Sequence, residues 1–506
     1  MLESVMEDDA KVIRGRDAQR LIVDTAMEVA ARVKSTLGPK GMDKLLADKM
    51  GQHLLSNDGA TILKMSNFSN SPIATIMIES AKSQEDTAFD GTTSTVIITH
   101  ELLEKADPLI QQGVHPNEIA SGYKEAERIA MEGLKEIASD GDPYESAKKV
   151  AETAMTGKSA QSYKVMLSEI CAKAASIASP KNIKIIGRPG HPEDAELIEG
   201  VYVQKKNSYQ TDEKEVEGKI LLLDEELAPP QANVTLHDPN KIREISAVQQ
   251  KYIEDRLKHI DGLEICAIFC QKGVDSRAIA HFRKKGIVCV RNTTKSDILR
   301  IAKATGGEVV ADLSNLTVEE LGQGRVALRG IESGPNPFIT VTGVKEGVAS
   351  IIMPAPTEQA AAEFNRALDD ALGVAYITYK SPQTVPGAGS IQSRLADRIR
   401  NSELMEDSKA EAAKQAFAEC LLAIPQTLAE SAGMDTIDAL AALRREPHLG
   451  VNVYEKRITE MDDVREPYLM TKASINAAVE TAITLLRTDE VILSKPIQET
   501  FVDDML

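Results

Sequence analysis

The chain has 506 residues, of which 42% are hydrophobic and 27% charged, and its formal net charge is −18. At roughly 100–200 residues per domain this is material for about three domains. The acidic balance excludes non-specific nucleic-acid binding, which requires a basic surface. Cys171, Cys266, Cys270, Cys289 and Cys420 lie in apolar runs, as the reduced, buried thiols of a cytoplasmic protein do. Cys266 and Cys270 share one strand-like run and are read as packing, not as metal ligands. Residues 1–9 are acidic and lack an apolar stretch, so they are not read as a signal peptide. No apolar run reaches the roughly 18 residues of a membrane span.

In chain order, residues 16–37 read as a helix, with Ile22, Ala26, Val29 and Val33 on one face. Gly38 and Pro39 end it. The loop Leu37-Gly38-Pro39-Lys40-Gly41-Met42-Asp43-Lys44 lacks the Walker A order, but its glycines let backbone N–H groups approach a phosphate. Two short apolar runs, 53–56 and 60–63, flank Asn57-Asp58-Gly59 and predict a β-hairpin, which makes Asp58 a turn former. Helices are expected over 73–82, over 92–106 and after His115-Pro116-Asn117.

Between the first two of these helices lies Phe89-Asp90-Gly91-Thr92-Thr93-Ser94-Thr95. Gly91 permits a tight turn, and Thr92, Thr93 and Ser94 fall on the first helical turn, where N–H groups are unpaired and the helix dipole is positive. That is a phosphate cradle. A carboxylate about 4 Å from a phosphate charge is repelled by roughly 4 kcal/mol at an effective dielectric near 20. A phosphate site that keeps Asp90 therefore implies a cation between them, and Mg²⁺ suits those oxygens. Taken alone, the same residues also read as an ordinary Asp/Thr helix cap.

Composition changes at Ala138-Ser139-Asp140-Gly141-Asp142-Pro143, a domain boundary. Two helical segments then flank Thr156-Gly157-Lys158, where Lys158 reads as a solvated loop lysine or as a mobile charge sensor. From about Gln204, short β-rich runs at 220–223, 265–269, 287–290 and 309–310 alternate with helices at 276–285 and 296–304, which predicts an α/β domain. Residues 238–260 interrupt it with a polar helix. Its apolar stripe (Ile242, Ile245, Val248, Ile253, Leu257) is thin, so it packs on something else or projects. A strand at 349–354 and a helix at 359–373, carrying Asp369 and Asp370, come next. The small-residue loop Val385-Pro386-Gly387-Ala388-Gly389 precedes another helix. Residues 409–506 return to Ala/Leu-rich helices like those of the first 140, so the terminal segments are expected to form one domain with the middle as an excursion from it.

The three loops Leu37–Lys44, Ser56-Asn57-Asp58-Gly59-Ala60-Thr61-Ile62 and Asp90-Gly91-Thr92-Thr93 resemble the nucleotide-site signatures of chaperonins. Ala367-Leu368-Asp369-Asp370-Ala371-Leu372-Gly373-Val374 and Leu428-Ala429-Glu430-Ser431-Ala432-Gly433-Met434-Asp435 fit the same family in the same order. Gln271-Lys272-Gly273-Val274-Asp275 and the polar helix 238–260 resemble group II, the thermosome and eukaryotic cytosolic type. The resemblance implies a multidomain α and α/β chain. A mainly helical equatorial ATP-binding domain would span 1–141 and 385–506, and a small intermediate hinge domain 142–203 and 349–384. An α/β apical domain, 204–348, would carry a helical lid protrusion. It implies an ATPase that encloses and folds non-native polypeptides, assembled with copies of itself or related subunits in two stacked rings of about eight or nine. ATP and Mg²⁺ would be its cofactors, with K⁺ as a candidate second cation.

Residue by residue, the resemblance places Leu37, Gly38, Pro39 and Gly59 around the phosphates, and Gly91, Thr92, Thr93 and Ser94 in the cradle. Asp90 matches the metal ligand, Asp370 the carboxylate that orients the attacking water, and Asp58 a second carboxylate near it. Lys158 matches the lysine that senses the γ-phosphate, and Gly387 and Glu466 positions at the nucleoside end. Phe89 stands where glycine is usual, Ala388 interrupts a glycine run, Pro354-Ala355-Pro356 replaces a more basic, glycine-rich turn, and Ser94 stands for Thr. These departures keep open a divergent assembly subunit of a hetero-oligomer that binds ATP with weak or no turnover. A small-molecule phosphotransferase, which would need an acceptor pocket that no motif supplies, is the more distant alternative.

Overall fold

The computed structural model describes residues 11–47, 53–66, 68, 71–209, 213–229, 239–329, 337–343, 345 and 347–493. The acidic segment 1–9, position 238 of the expected lid helix and the stretch 494–506 lie outside the described residues. The chain divides into two compact units, Met1–Ala172 with Ala362–Leu506, and Lys173–Ala361.

The helices, in chain order, are α1 (Gly15–Val33), α2 (Gly59–Met65), α3 (Pro72–Ala88), α4 (Thr92–Gln111), α5 (Pro116–Ile137), α6 (Pro143–Met155), α7 (Lys164–Ile177), α8 (Pro239–Ile260), α9 (Ser276–Lys285), α10 (Lys295–Thr305), α11 (Glu358–Lys380), α12 (Ser390–Arg400), α13 (Ser408–Leu421), α14 (Ala423–Ala432), α15 (Thr436–Arg445) and α16 (Tyr468–Leu486). In the first unit α4 is central. It buries Val96, Ile97, Ile98, Leu102, Leu103 and Ala106 and packs against α1, α13 and α16. With no Trp and only eight Phe in the chain, this core depends on close approach of small residues. A Cβ on Gly122 of α5 would lie 2.2 Å from the Ala410 carbonyl of α13. Tyr123 secures the same region, donating its hydroxyl to the Leu102 carbonyl at 2.7 Å and meeting Phe417 edge to face.

The hairpin expected over 53–63 does not form. His53–Ser56 pairs antiparallel with Lys44–Ala47 instead, and the residues after Asn57 form α2. Asp58 decides this: its carboxylate accepts from Ala60 N at 3.3 Å and Thr61 N at 2.8 Å, satisfying N–H groups that a new helix leaves unpaired. The adjacent Ile62 and Leu63 are both buried in the helix, whereas a half-buried strand would alternate them. A small antiparallel sheet places Gln383–Pro386 between Ser139–Asp140 and Arg465–Pro467, with Val385 opposite Glu466. This register brings the loop at Gly387 to Glu466.

The second unit holds a mixed sheet in the order Val288–Val290, Ile265–Cys270, Lys214–Leu223, Gly322–Arg329, Phe338–Gly343, Val201–Val203, with Val309–Val310 also pairing Lys214–Leu223. The four strands read from sequence are its parallel part. The antiparallel strands Gly322–Arg329 and Phe338–Gly343 were missed; glycine and arginine interrupt the apolar pattern of the first, and threonines alternate with the apolar residues of the second. Alternation divides the sheet's two faces: Ile220 and Leu222 join one core, Leu221 and Leu223 the other. On the second face α8 buries Ile253, Leu257 and Ile260, while Val248, nearer its start, is 70% exposed. The C-terminal half of the helix thus packs on the sheet of its own unit, which corrects the expectation that so thin a stripe packs on something else or projects. Among the described residues, no helix is long and apolar enough to cross a membrane.

Candidate functional site

The site is built in the first unit where α4 begins. Its N-cap is Gly91 at φ +89°, and no side chain caps that end, so its first N–H groups face outward with the positive end of a 20-residue helix. Asp90 accepts from Gly91 N through Oδ1 at 2.7 Å. Gly59 packs directly on the cradle, because a Cβ there would lie 2.6 Å from Thr93 Oγ1 and 3.1 Å from Thr92 Oγ1. Gly157, at φ +87°, approaches Pro39 so closely that a Cβ would lie 2.6 Å from its Cα. The loops at 37–39, 57–59, 90–94 and 157–158 thus converge.

They enclose a cleft of about 190 Å³. Leu37, Gly38, Asp58, Gly59, Asp90, Gly91, Thr92, Thr93, Ser94, Lys158, Asp370 and Glu466 all line it. An adjoining cavity of about 430 Å³ shares Leu37, Gly38, Ser94 and Glu466 with it and adds Pro39 and largely apolar walls from Ala388, Ile424, Leu428, Val451, Val453 and Tyr454. Gly387 lines neither space. It lies behind Glu466, where a Cβ would be 3.1 Å from Oε1.

Lys158 and Arg465 line the cleft with Asp58, Asp90, Asp370 and Glu466, and Lys158 stands among the three aspartates. Lys158 Nζ pairs with Asp370, and both side chains are about one-fifth exposed. Burial pulls the Lys158 ammonium down, but Asp370, Asp90 and Asp58 outweigh it and hold the group above its ordinary value. Burial pushes the Asp370 carboxyl up, opposed by Lys158 and reinforced by Asp90 and Asp58. Lys158 gains from three aspartates, whereas Asp370 has one ammonium to oppose its burial and two like charges beside it. Glu466 is pushed up to about 7 by burial and by Asp90, against the Thr471 hydroxyl. Lys158 is therefore no solvated loop lysine.

Sequence reading missed several contributors. Gln84, buried on α3, donates Nε2 to the carbonyls of Asp90 at 3.1 Å and Met470 at 3.2 Å, clamping the loop before α4. Gln161 accepts from Gly157 N and donates to Tyr454 Oη, both at 2.9 Å. The antiparallel pair Gly450–Asn452 and Arg457–Thr459 brings Val451, Val453 and Tyr454 to the cavity. Gln84, a polar residue on an apolar face, carried a signal; of the cavity walls, Ala388 and Leu428 fell in quoted motifs, and Ile424, Val451, Val453 and Tyr454 carried none. Two departures from the chaperonin pattern stand in left-handed backbone, Phe89 at φ +64° and Ala388 at φ +53°, each strained by about 1 kcal/mol or more.

Residues 29–496 match the TCP-1/cpn60 chaperonin family. The chain belongs to that family. It is 36% identical to a thermosome subunit of Methanocaldococcus jannaschii, over 98% of this chain and 95% of the relative. It is also 36% identical to the thermosome beta subunits of Methanothermobacter thermautotrophicus (94% and 92% covered) and Thermococcus kodakarensis (96% and 93%). These relatives mark it as a group II chaperonin, a protein-folding chaperone, and the multidomain mixture of helical and sheet units agrees with that membership.

Proposed function

We propose that this chaperonin binds and hydrolyses ATP in the cleft and uses the cycle to enclose and release non-native polypeptides. The Lys158–Asp370 pair beside the uncapped start of α4 carries the reading. The triphosphate lies on the N–H groups and hydroxyls of Thr92, Thr93 and Ser94, with Gly38 and Gly59 giving it room. The base and ribose take the apolar cavity, with Glu466 at the junction and Gly387 behind it. Among the described residues lining the cleft there is no cysteine or histidine, and the carboxylate and hydroxyl oxygens there fit Mg²⁺, held by Asp90. Bound there, Mg²⁺ would neutralise phosphate charge; K⁺ is a candidate second cation.

Phosphoryl transfer needs positioning and charge stabilisation more than covalent chemistry. Asp370 and Asp58 orient the attacking water by accepting its hydrogens. Without nucleotide, Lys158 occupies Asp370. A γ-phosphate competes for the ammonium, so binding itself frees the carboxylate for the water. In this reading residues 1–141 and 385–506 are the equatorial domain, 142–203 and 349–384 the hinge, and 204–348 the apical domain with α8 in its lid. Copies or related subunits form two stacked rings in the cytoplasm. The left-handed Phe89 and Ala388 favour one second reading, an assembly subunit with weak turnover. The test is Mg²⁺-dependent ATP hydrolysis by the purified chain together with ATP-dependent refolding of a denatured client. Both activities are expected, and ATP binding without either would support the assembly subunit.

A further inference from the structure

Two unfavourable choices in this chain lie against each other. Phe89 holds a bulky side chain at φ +64°, ψ −3°, a region that L-residues avoid. Gly373 occupies the interior of α11, where glycine weakens a helix. A Cβ on Gly373 would lie 2.1 Å from Phe89 Cγ, 2.2 Å from its Cβ and 2.6 Å from Cδ1. The aromatic side chain therefore rests on the backbone of α11 itself, and only glycine permits that approach. Gly373 follows Asp370 by one turn on the same helix, and residues three apart share a face. Phe89 directly precedes Asp90. Its own placement is fixed from both sides: its N–H donates to the Glu85 carbonyl at 2.8 Å, and Gln84 holds the Asp90 carbonyl.

We infer that Phe89 is a positioning residue for ATP hydrolysis, its ring wedged on Gly373 so as to fix the spacing between the Asp90 loop and the Asp370 helix. The inference rests on the proposed ATPase reading and adds to it. The strain at Phe89 and the glycine in α11 explain one another, since the left-handed backbone aims the ring at the helix and the glycine receives it. The ring transmits displacement of α11 to Asp90 through packed atoms, with no charge of its own.

Steady-state kinetics and thermal unfolding of Phe89→Gly, Gly373→Ala and the double variant test this. Phe89→Gly is expected to bind ATP within about two-fold of the parent and to lose about 10-fold in kcat, since small misplacements of catalytic groups act on turnover. Phe89→Leu, which keeps most of the packing, is expected to fall between them and serves if the glycine variant does not fold. In nucleotide-free protein, Gly373→Ala is expected to lower the unfolding midpoint when Phe89 is present and raise it in the Phe89→Gly background, where helix propensity alone acts. A parent that hydrolyses ATP with Phe89→Gly at the same kcat, or a Gly373→Ala change that raises the midpoint in both backgrounds, overturns the inference and leaves the ATPase reading standing. A parent that does not hydrolyse ATP overturns that reading and the inference with it.

Discussion

The cleft at the start of α4 and the adjoining apolar cavity meet at Glu466, yet they are built on different terms. The cleft concentrates Asp58, Asp90, Asp370 and Lys158 around one helix terminus. Each of those residues needs a particular chemical type, because a carboxylate or an ammonium cannot be exchanged without leaving a charge unpaired. The cavity draws Ile424, Leu428, Val451, Val453 and Tyr454 from separate elements, and there the requirement is mostly volume and an apolar surface. Chemistry that turns the substrate over should therefore be lost by changes in the cleft, and affinity for it by changes in the cavity.

The largest effect expected on the cleft side is from Asp370→Ala, which should retain ATP binding and lose about 10²-fold or more in turnover. Lys158→Met comes next. It leaves Asp370 beside two like charges with no cation, so nucleotide-free protein should lose about 2 kcal/mol or more in denaturant titration, and turnover should fall about 10-fold. On the cavity side, Tyr454→Ala removes a half-exposed wall and the hydroxyl that Gln161 holds. KM for ATP should rise a few-fold, by roughly 1 kcal/mol, with kcat unchanged. Glu466→Gln sharpens the boundary between the two. An acid whose pKa rises from 4.5 to about 7 on folding costs stability as pH climbs through that window. The variant should be more stable than the parent at pH 8, by on the order of 1–3 kcal/mol, with the difference vanishing near pH 4. Thermal unfolding of nucleotide-free protein across pH reads this.

The same contrast explains what the sequence made legible. Asp90-Gly91-Thr92-Thr93 could be read because a tight turn, a carboxylate and hydroxyls at a helix start are local. The pairing of Lys158 with Asp370 spans 212 positions, and no spacing rule predicts it; the chaperonin resemblance named each residue with a role of its own, and the pair emerged only with the fold. Asp58 shows how a local reading fails. Asn-Asp-Gly serves a hairpin and a helix cap equally well; here the Asp58 carboxylate caps α2, and His53–Ser56 finds its partner in Lys44–Ala47 instead. The antiparallel strands of the second unit, Gly322–Arg329 and Phe338–Gly343, alternate in burial, but with glycine, arginine and threonine among their residues neither shows as a β-rich apolar run. Cavity walls such as Val451 and Val453 look like any core residue until the fold places them.

The measurement that tests the division most directly is kcat and nucleotide affinity determined side by side for Asp370→Ala and Tyr454→Ala. Turnover lost with affinity kept in the first, and affinity weakened with turnover kept in the second, is the expected pair. If Asp370→Ala instead loses binding and turns over normally at saturation, or if both variants lose the two quantities together, the cleft and the cavity do not divide the work in this way.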